Sequence, residues 1–228
     1  MMQHIITKKV TPGEKLPSEN ALADKYQVPR TTVRNALKKL EERGVIYSKQ
    51  GKGRYLKGKS RQIQLHLTGK TSFTDKMKQS GYDMVTQNIY CGKITYDADI
   101  CQLLHMGEGG SVYKIGRLRY INNEPIAIHY SFVNDLRFPS IAEEGPTIKS
   151  MFSYYRQHGY NEFASNKSLL STTFPTHEEQ QLLSCGSLVP LIVVESDCID
   201  VESEEVLEHT KILYRSDKFK YDITMDKS

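Results

Sequence analysis

The chain has 228 residues, of which 38% are hydrophobic and 25% charged, with a mean hydropathy of −0.52 and a net charge of +4. This is a globular composition, long enough for one large domain or for a small one plus a medium one. No run of about 18 apolar residues occurs, which excludes a membrane-spanning helix, and MMQHIITKKV at the start does not predict a secretory signal.

The charge is divided unevenly. Residues 1–61 hold 15 Lys/Arg against 5 Asp/Glu, a net of +10, which leaves −6 for the remainder. Such a split points to a polyanion partner for the first part of the chain. The four cysteines (Cys91, Cys101, Cys185, Cys198) are scattered, with no CxxC pair and no histidine at ligand spacing. They read as reduced thiols, which places the chain in the cytoplasm, and no metal or other cofactor is expected.

Residues 1–9 read as the end of a helix, closed by Lys8 and Lys9. Thr11 to Glu14 form a turn, and Ser18 behind Pro17 is a good N-cap for a helix through Tyr26. Val28-Pro29 breaks that pattern. A second helix from Arg30 to Arg43 stops at Gly44. Its Val33, Ala36, Leu37 and Leu40 recur at i, i+3, i+4, i+7 and form one apolar face. Arg30, Thr31, Arg34, Asn35 and Lys38 fall on the opposite arc, with no carboxylate before Glu41. Arginine forks onto the guanine edge, asparagine pairs with adenine, and threonine touches phosphate or a thymine methyl, so this face suits a DNA groove. Val45 to Gln50 and Arg54 to Lys57 then read as two strands around the turn Gly51-Lys52-Gly53. Gln50, Gly51, Lys52 and Arg54 would meet a backbone or a minor groove.

Residues 57–69 form a linker whose second half alternates through Ile63, Leu65 and Leu67, so it pairs as a strand once docked. Beyond it the texture is mixed. Thr71 to Asp75 open a short helix that Gly81 ends. Strands are expected over 84–95, 111–121, 124–133, 163–174, 188–200 and 206–224, and helices over 97–105, 147–157 and 176–184. Asn122-Asn123 reads as a hairpin turn, and Thr176 with Glu179 as a capping box. The fold class is therefore α+β, an antiparallel sheet with helices on one side. No internal repeat is evident. The segment carries no GxSxG, HExxH or Gly-rich phosphate loop. Its most informative feature is Arg117-Leu118-Arg119, where period two puts both guanidiniums on one face. They suit a phosphate or carboxylate ligand, or else pair with carboxylates of the protein. His129, on the next strand, faces away from Ile126 and Ile128, as a structural histidine or a ligand contact. Ser150 could add a donor.

Taken together, Leu16-Pro17-Ser18-Glu19, Val28 to Leu37, Leu40-Glu41, Gly44-Val45-Ile46 and Gly51-Lys52-Gly53 resemble the amino-terminal winged helix-turn-helix of GntR-type bacterial transcription regulators. The resemblance implies DNA contacts by Arg30, Thr31 and Arg34 and minor-groove contacts by Gln50, Gly51 and Lys52. Asn20 stands where the family usually has arginine, and the family has several more residues ahead of Met1. Arg117-Leu118-Arg119 with Glu124 to Ala127, Ser150-Met151-Phe152 and Tyr214 to Tyr221 is similar to the UTRA effector-binding domain of the HutC subfamily, which has a chorismate-lyase-like fold without the lyase activity. This implies phosphate contacts by Ser72, Arg117, Arg119 and Ser150, with Tyr214 as a further pocket residue. Phe152 replaces a tyrosine of that pattern, and His129 replaces a glutamate that grips sugar hydroxyls.

The expected organisation is a DNA-binding head at 1–57, a linker at 58–69 and an effector and dimerisation domain at 70–228. The expected function is a non-enzymatic, homodimeric transcription repressor. It would bind a palindromic operator in double-stranded DNA and be released by a small anionic effector, above all a phosphorylated sugar. A lyase-like enzyme with a nucleic-acid-binding head, and a constitutive DNA binder whose second domain only dimerises, are the alternatives.

Overall fold

A computed structural model describes residues 11, 13–58, 62–66, 71–107 and 109–222. The expected helix at residues 1–9 lies outside them. The first described unit is α1 (Glu19–Tyr26), α2 (Arg30–Glu42) and the hairpin β1 (Ile46–Lys49) and β2 (Gly53–Leu56). Ser18 caps α1 by accepting from the Ala21 N–H, and Gln27 closes it in the left-handed region. α2 starts directly after Pro29 and ends ahead of Gly44, whose φ of +67° turns the chain into β1. Leu16, Leu22, Val33, Leu37, Leu40 and Ile46 form the core of this unit.

The second unit is built on an antiparallel sheet of β4 (Met84–Lys93), β5 (Val112–Ile121), β6 (Glu124–Asn134), β10 (Val206–Arg215) and β9 (Leu191–Asp200). Two short strands, β7 (Phe163–Ala164) and β8 (Ser168–Thr173), share the outer edge of β9. The expected strand over 163–174 is thus broken at 165–167. There Ser165 Oγ and the N–H groups of Asn166 and Lys167 turn onto Asp197 Oδ1. Asn122 and Asn123 both have positive φ, 51° and 58°, the two-residue turn that matches strand twist. The strand expected over 206–224 is interrupted after Arg215, and β11 (Phe219–Asp222) leaves the sheet. It pairs in parallel with β3 (Ile63–His66), the docked half of the linker.

The helices are α3 (Phe73–Gln79), α4 (Ala98–Leu103), α5 (Ile141–Glu144), α6 (Met151–Gln157) and α7 (His177–Leu183). The helix expected from 147 begins only at Met151, after a 3-10 turn over Gly145–Thr147. Helices also cover both faces of the sheet rather than one. α3 and α6 pack on the face of Ile115 and Tyr214. Leu183 of α7 closes the other over Leu118, Ile128, Val193 and Leu213. Both faces of the central strands are apolar, and an uncovered one would stay in water. The two units meet where Leu188 N–H donates to the Glu42 carbonyl at 3.1 Å. Gly186 passes so close that a Cβ there would stand 2.1 Å from the same oxygen.

Candidate functional site

The face of α2 opposite its core exposes Arg30, Thr31, Arg34, Asn35 and Lys38. Its electrostatics are set by one carboxylate on α1. Glu19 accepts from Arg30 Nε at 3.0 Å, Arg34 Nε at 3.3 Å and Arg54 Nη1 at 2.9 Å. Arg54 first, then Arg30 and Arg34, hold the Glu19 carboxyl down at about 2. It is therefore ionised at neutral pH and fixes three guanidiniums around one point. The side chains of Arg30 and Arg34 are still 58% and 55% exposed, which leaves donors pointing outward. Arg54 is 25% exposed and also lies 3.8 Å from Glu41. It is drawn inward and organises the face rather than standing at its rim. Gln50, Gly51 and Lys52 are exposed at the tip of the hairpin, where Gly51 takes a φ of +69°. A helix carrying cations, a hydroxyl and an amide beside a basic hairpin tip can address a groove and its flanking phosphates together.

The second site is a cavity of about 150 Å³ floored by one face of the sheet. All seven residues expected from sequence, Ser72, Arg117, Arg119, His129, Ser150, Phe152 and Tyr214, line it. β5 supplies the arginines, which are buried. Arg117 Nη2 donates to Ser131 Oγ and lies 4.0 Å from Glu208 Oε1. Arg119 Nη1 donates to Thr86 Oγ1 and to the Lys149 carbonyl. The Nε atoms of both arginines, His129 Nε2 and Glu208 Oε1 are buried without a hydrogen-bond partner. The unpartnered arginine donors pull on an anion, whereas Glu208 Oε1, an acceptor, calls for a donor. Burial first, then Arg119 and Arg117, pushes the His129 imidazole well below its ordinary range, so it is neutral at pH 7. Its ring packs against Phe73, 4.7 Å between centroids, and edge-on to Tyr214 at 5.7 Å.

The two serines differ. Ser72 caps α3, accepting from Asp75 N–H at 3.0 Å and donating to Asp75 Oδ2 at 2.7 Å, so its proton is already engaged. Ser150 accepts from Ser153 N–H at 3.4 Å, an arrangement that leaves its proton for a ligand. The sequence reading missed Glu208, the buried counter-ion of Arg117, held through Oε2 by the Tyr155 hydroxyl at 2.8 Å. Burial raises its carboxyl, with Arg117 pulling the other way. Period two along β10 carries the signal, since Glu208, Thr210, Ile212 and Tyr214 share a face. The described thiols are all unpaired, and only Cys198 is fully buried. Among the described residues no helix is long and apolar enough to cross a membrane.

Comparison with known proteins joins the two sites. Residues 1–56 match the family of bacterial regulatory proteins of gntR type, and residues 79–220 match the UTRA domain family. The HTH-type transcriptional repressor NagR of Bacillus subtilis (strain 168) is 27% identical over 219 residues, covering 96% of this chain and 88% of its own length. The mannosyl-D-glycerate transport/metabolism system repressor MngR of Escherichia coli (strain K12) is 24% identical, with coverage of 96% and 90%. The crystal structure of PhnF from Mycobacterium smegmatis aligns with a TM-score of 0.64 at 20% identity, over 100% of this chain and 97% of that one, and supports the fold. This chain belongs to the GntR family of bacterial transcription regulators, in the HutC-type branch that carries a UTRA domain.

Proposed function

We propose that the chain acts in the cytoplasm as a homodimeric repressor whose two heads bind the half-sites of a palindromic operator. A phosphorylated sugar or similar small anion in the pocket releases it. The head would comprise residues 1–57, the linker 58–69, and the effector and dimerisation unit 70–228. Arg30, Thr31, Arg34, Asn35 and Lys38 read the major groove, Gln50, Gly51 and Lys52 reach the minor groove, and Glu19 with Arg54 holds the arginines in place.

One observation carries the effector half of this reading. Two buried arginines and a neutral histidine line one cavity, and each keeps a buried nitrogen without a hydrogen-bond partner. Desolvated donors converging on a point favour a group with several acceptor oxygens, as phosphate has. The names of the relatives, repressors of sugar-related systems among them, support the same class. Release requires that the ligand favour the conformer whose heads no longer fit the half-sites.

The test selects DNA fragments with the purified protein and titrates the complex with hexose 6-phosphates in a mobility-shift assay. A palindromic site that is lost on adding a sugar phosphate is expected. Binding without sequence preference, or a complex indifferent to every anion in the panel, would overturn the reading.

A further inference from the structure

Strand register arranges the pocket floor in rows. Arg117 on β5 stands opposite His129 on β6, His129 opposite Ile212 on β10, and Ile212 opposite Val194 on β9. This row turns from cationic to aliphatic as it leaves the arginines. Beside it runs a second row, in which Ser131, Thr210, Ser196 and Ser168 face one another across β6, β10, β9 and β8. Four successive strands thus each contribute a hydroxyl at the same level. Ser131 is buried and bound to Arg117, whereas Thr210, Ser196 and Ser168 line the cavity.

The protons of this row have partners within the protein. Thr210 Oγ1 donates to the Ser196 carbonyl at 3.0 Å. Ser196 Oγ lies 3.1 Å from the Asp197 carbonyl, 2.9 Å from Ser165 Oγ and 3.0 Å from Ser168 Oγ. A hydroxyl has one proton and two lone pairs, so a row whose protons are engaged still offers acceptors. It suits a ligand that brings several O–H donors. Ile212 and Val194 offer the same ligand an aliphatic strip for its C–H face. A compact anion held by the arginines would leave both unused. With strands about 4.8 Å apart, the row from β6 to β8 spans roughly 14 Å, well beyond one phosphate group.

Resting on the reading of this cavity as the site of a phosphorylated sugar, we infer that the ligand lies across the strands. Its phosphate sits over β5 and β6, and its hydroxyls donate to Thr210 and Ser196. The far end of the ligand extends toward Ser168 at the edge strand. Thr210 and Ser196 are then specificity-determining residues that separate sugar phosphates from simple anions.

Calorimetric titration of the full-length chain tests this with inorganic phosphate, glucose, mannose and fructose 6-phosphates, and maltose 6′-phosphate. At least one sugar phosphate should bind about tenfold or more tighter than inorganic phosphate, the scale of one or two added hydrogen bonds. Thr210→Val with Ser196→Ala, both close to isosteric, should remove that advantage and leave inorganic phosphate binding unchanged. Arg119→Gln should weaken all of them. Sugar phosphates held no tighter than inorganic phosphate, or an unaffected double variant, would overturn the assignment of the hydroxyl row while the anion site stands. If no anion binds the unaltered protein, the effector-site reading falls with it.

Discussion

Glu19 in the head and Glu208 in the second domain each sit among arginines, and burial makes them behave in opposite ways. Glu19 lies near the surface with three guanidiniums at 2.9–3.3 Å, and its carboxyl is held down at about 2. Glu208 is 2% exposed, its nearest guanidinium nitrogen is 4.0 Å away, and burial pushes its carboxyl up. In the head, water screens the charges, so moving an arginine from Glu19 to a DNA phosphate or base is a near-even exchange. In the pocket, the charged groups are buried and their pairing is incomplete, so on the proposed reading an incoming anion would complete what the protein leaves unmatched. On that reading, one cluster holds arginines ready for release and the other holds a place for a ligand.

The largest effect should come from breaking the buried cluster. Removing one partner of a buried ion pair typically costs about 3–5 kcal/mol because the other charge is stranded. Arg117→Ala is therefore expected to lower stability in urea unfolding by an amount in that range and to abolish anion binding. The double change Arg117→Met with Glu208→Met should recover most of the stability without the binding. If single and double variants were equally destabilised, packing rather than stranded charge would explain the loss.

The exposed cluster should respond through DNA and hardly through stability. Arg34→Ala is expected to cost roughly 1–3 kcal/mol of operator affinity and to relax sequence preference, as for a lost base contact. Lys52→Ala should instead weaken all sequences alike and reduce the salt slope by about one. Glu19→Gln, which frees Arg30 and Arg34 and leaves Arg54 only Glu41, should raise nonspecific affinity and lower the ratio of specific to nonspecific binding. A Glu19→Gln variant that keeps the ratio would show that the clamp does not organise the reader.

The head was legible because its signals are local. The cap at Ser18, the break at Val28-Pro29 and the apolar spacing of Val33, Leu37 and Leu40 lie within a few residues of one another. The same holds for Arg117 and Arg119, whose common face follows from period two, and for the turn at Asn122-Asn123. What sequence did not show depends on register between distant strands. Ser131, Thr210, Ser196 and Ser168 align only because β6, β10, β9 and β8 are neighbours. Glu208 becomes the counter-ion of Arg117 across the same sheet. The second apolar face, closed by α7, was missed because Leu118, Ile128 and Leu213 are scattered through strands whose other sides are also partly apolar. The resemblance implies a phosphate contact by Ser72, and the structure adds that its hydroxyl donates to Asp75 three residues on, a spacing already present in the sequence.

The smallest expected effects separate the two regions by pH. Glu19 takes up a proton near 4.5 when unfolded but only near 2 when folded. The unfolded chain binds more protons in between, so this contribution to stability is present above about pH 4.5 and lost as pH falls toward 2. His129 is also shifted down, from an ordinary value of 6.5, by burial and by Arg119 and Arg117. Its contribution is present above about pH 6.5 and declines below it, because the unfolded chain gains a proton that the folded pocket refuses. His209 is shifted down by burial as well and adds to the same window, so unfolding curves from pH 8 to pH 3 should show a fall below about pH 6.5 and a further fall below about pH 4.5. His129→Gln should reduce the upper fall without touching the lower, and Glu19→Gln should reduce the lower fall, which Glu205 and Asp217 share, without touching the upper. An upper fall left unchanged by His129→Gln would mean that burial and the arginines do not hold this imidazole neutral. An anion placed between those arginines would then meet a charged histidine, and the pocket's preference would shift toward more highly charged ligands.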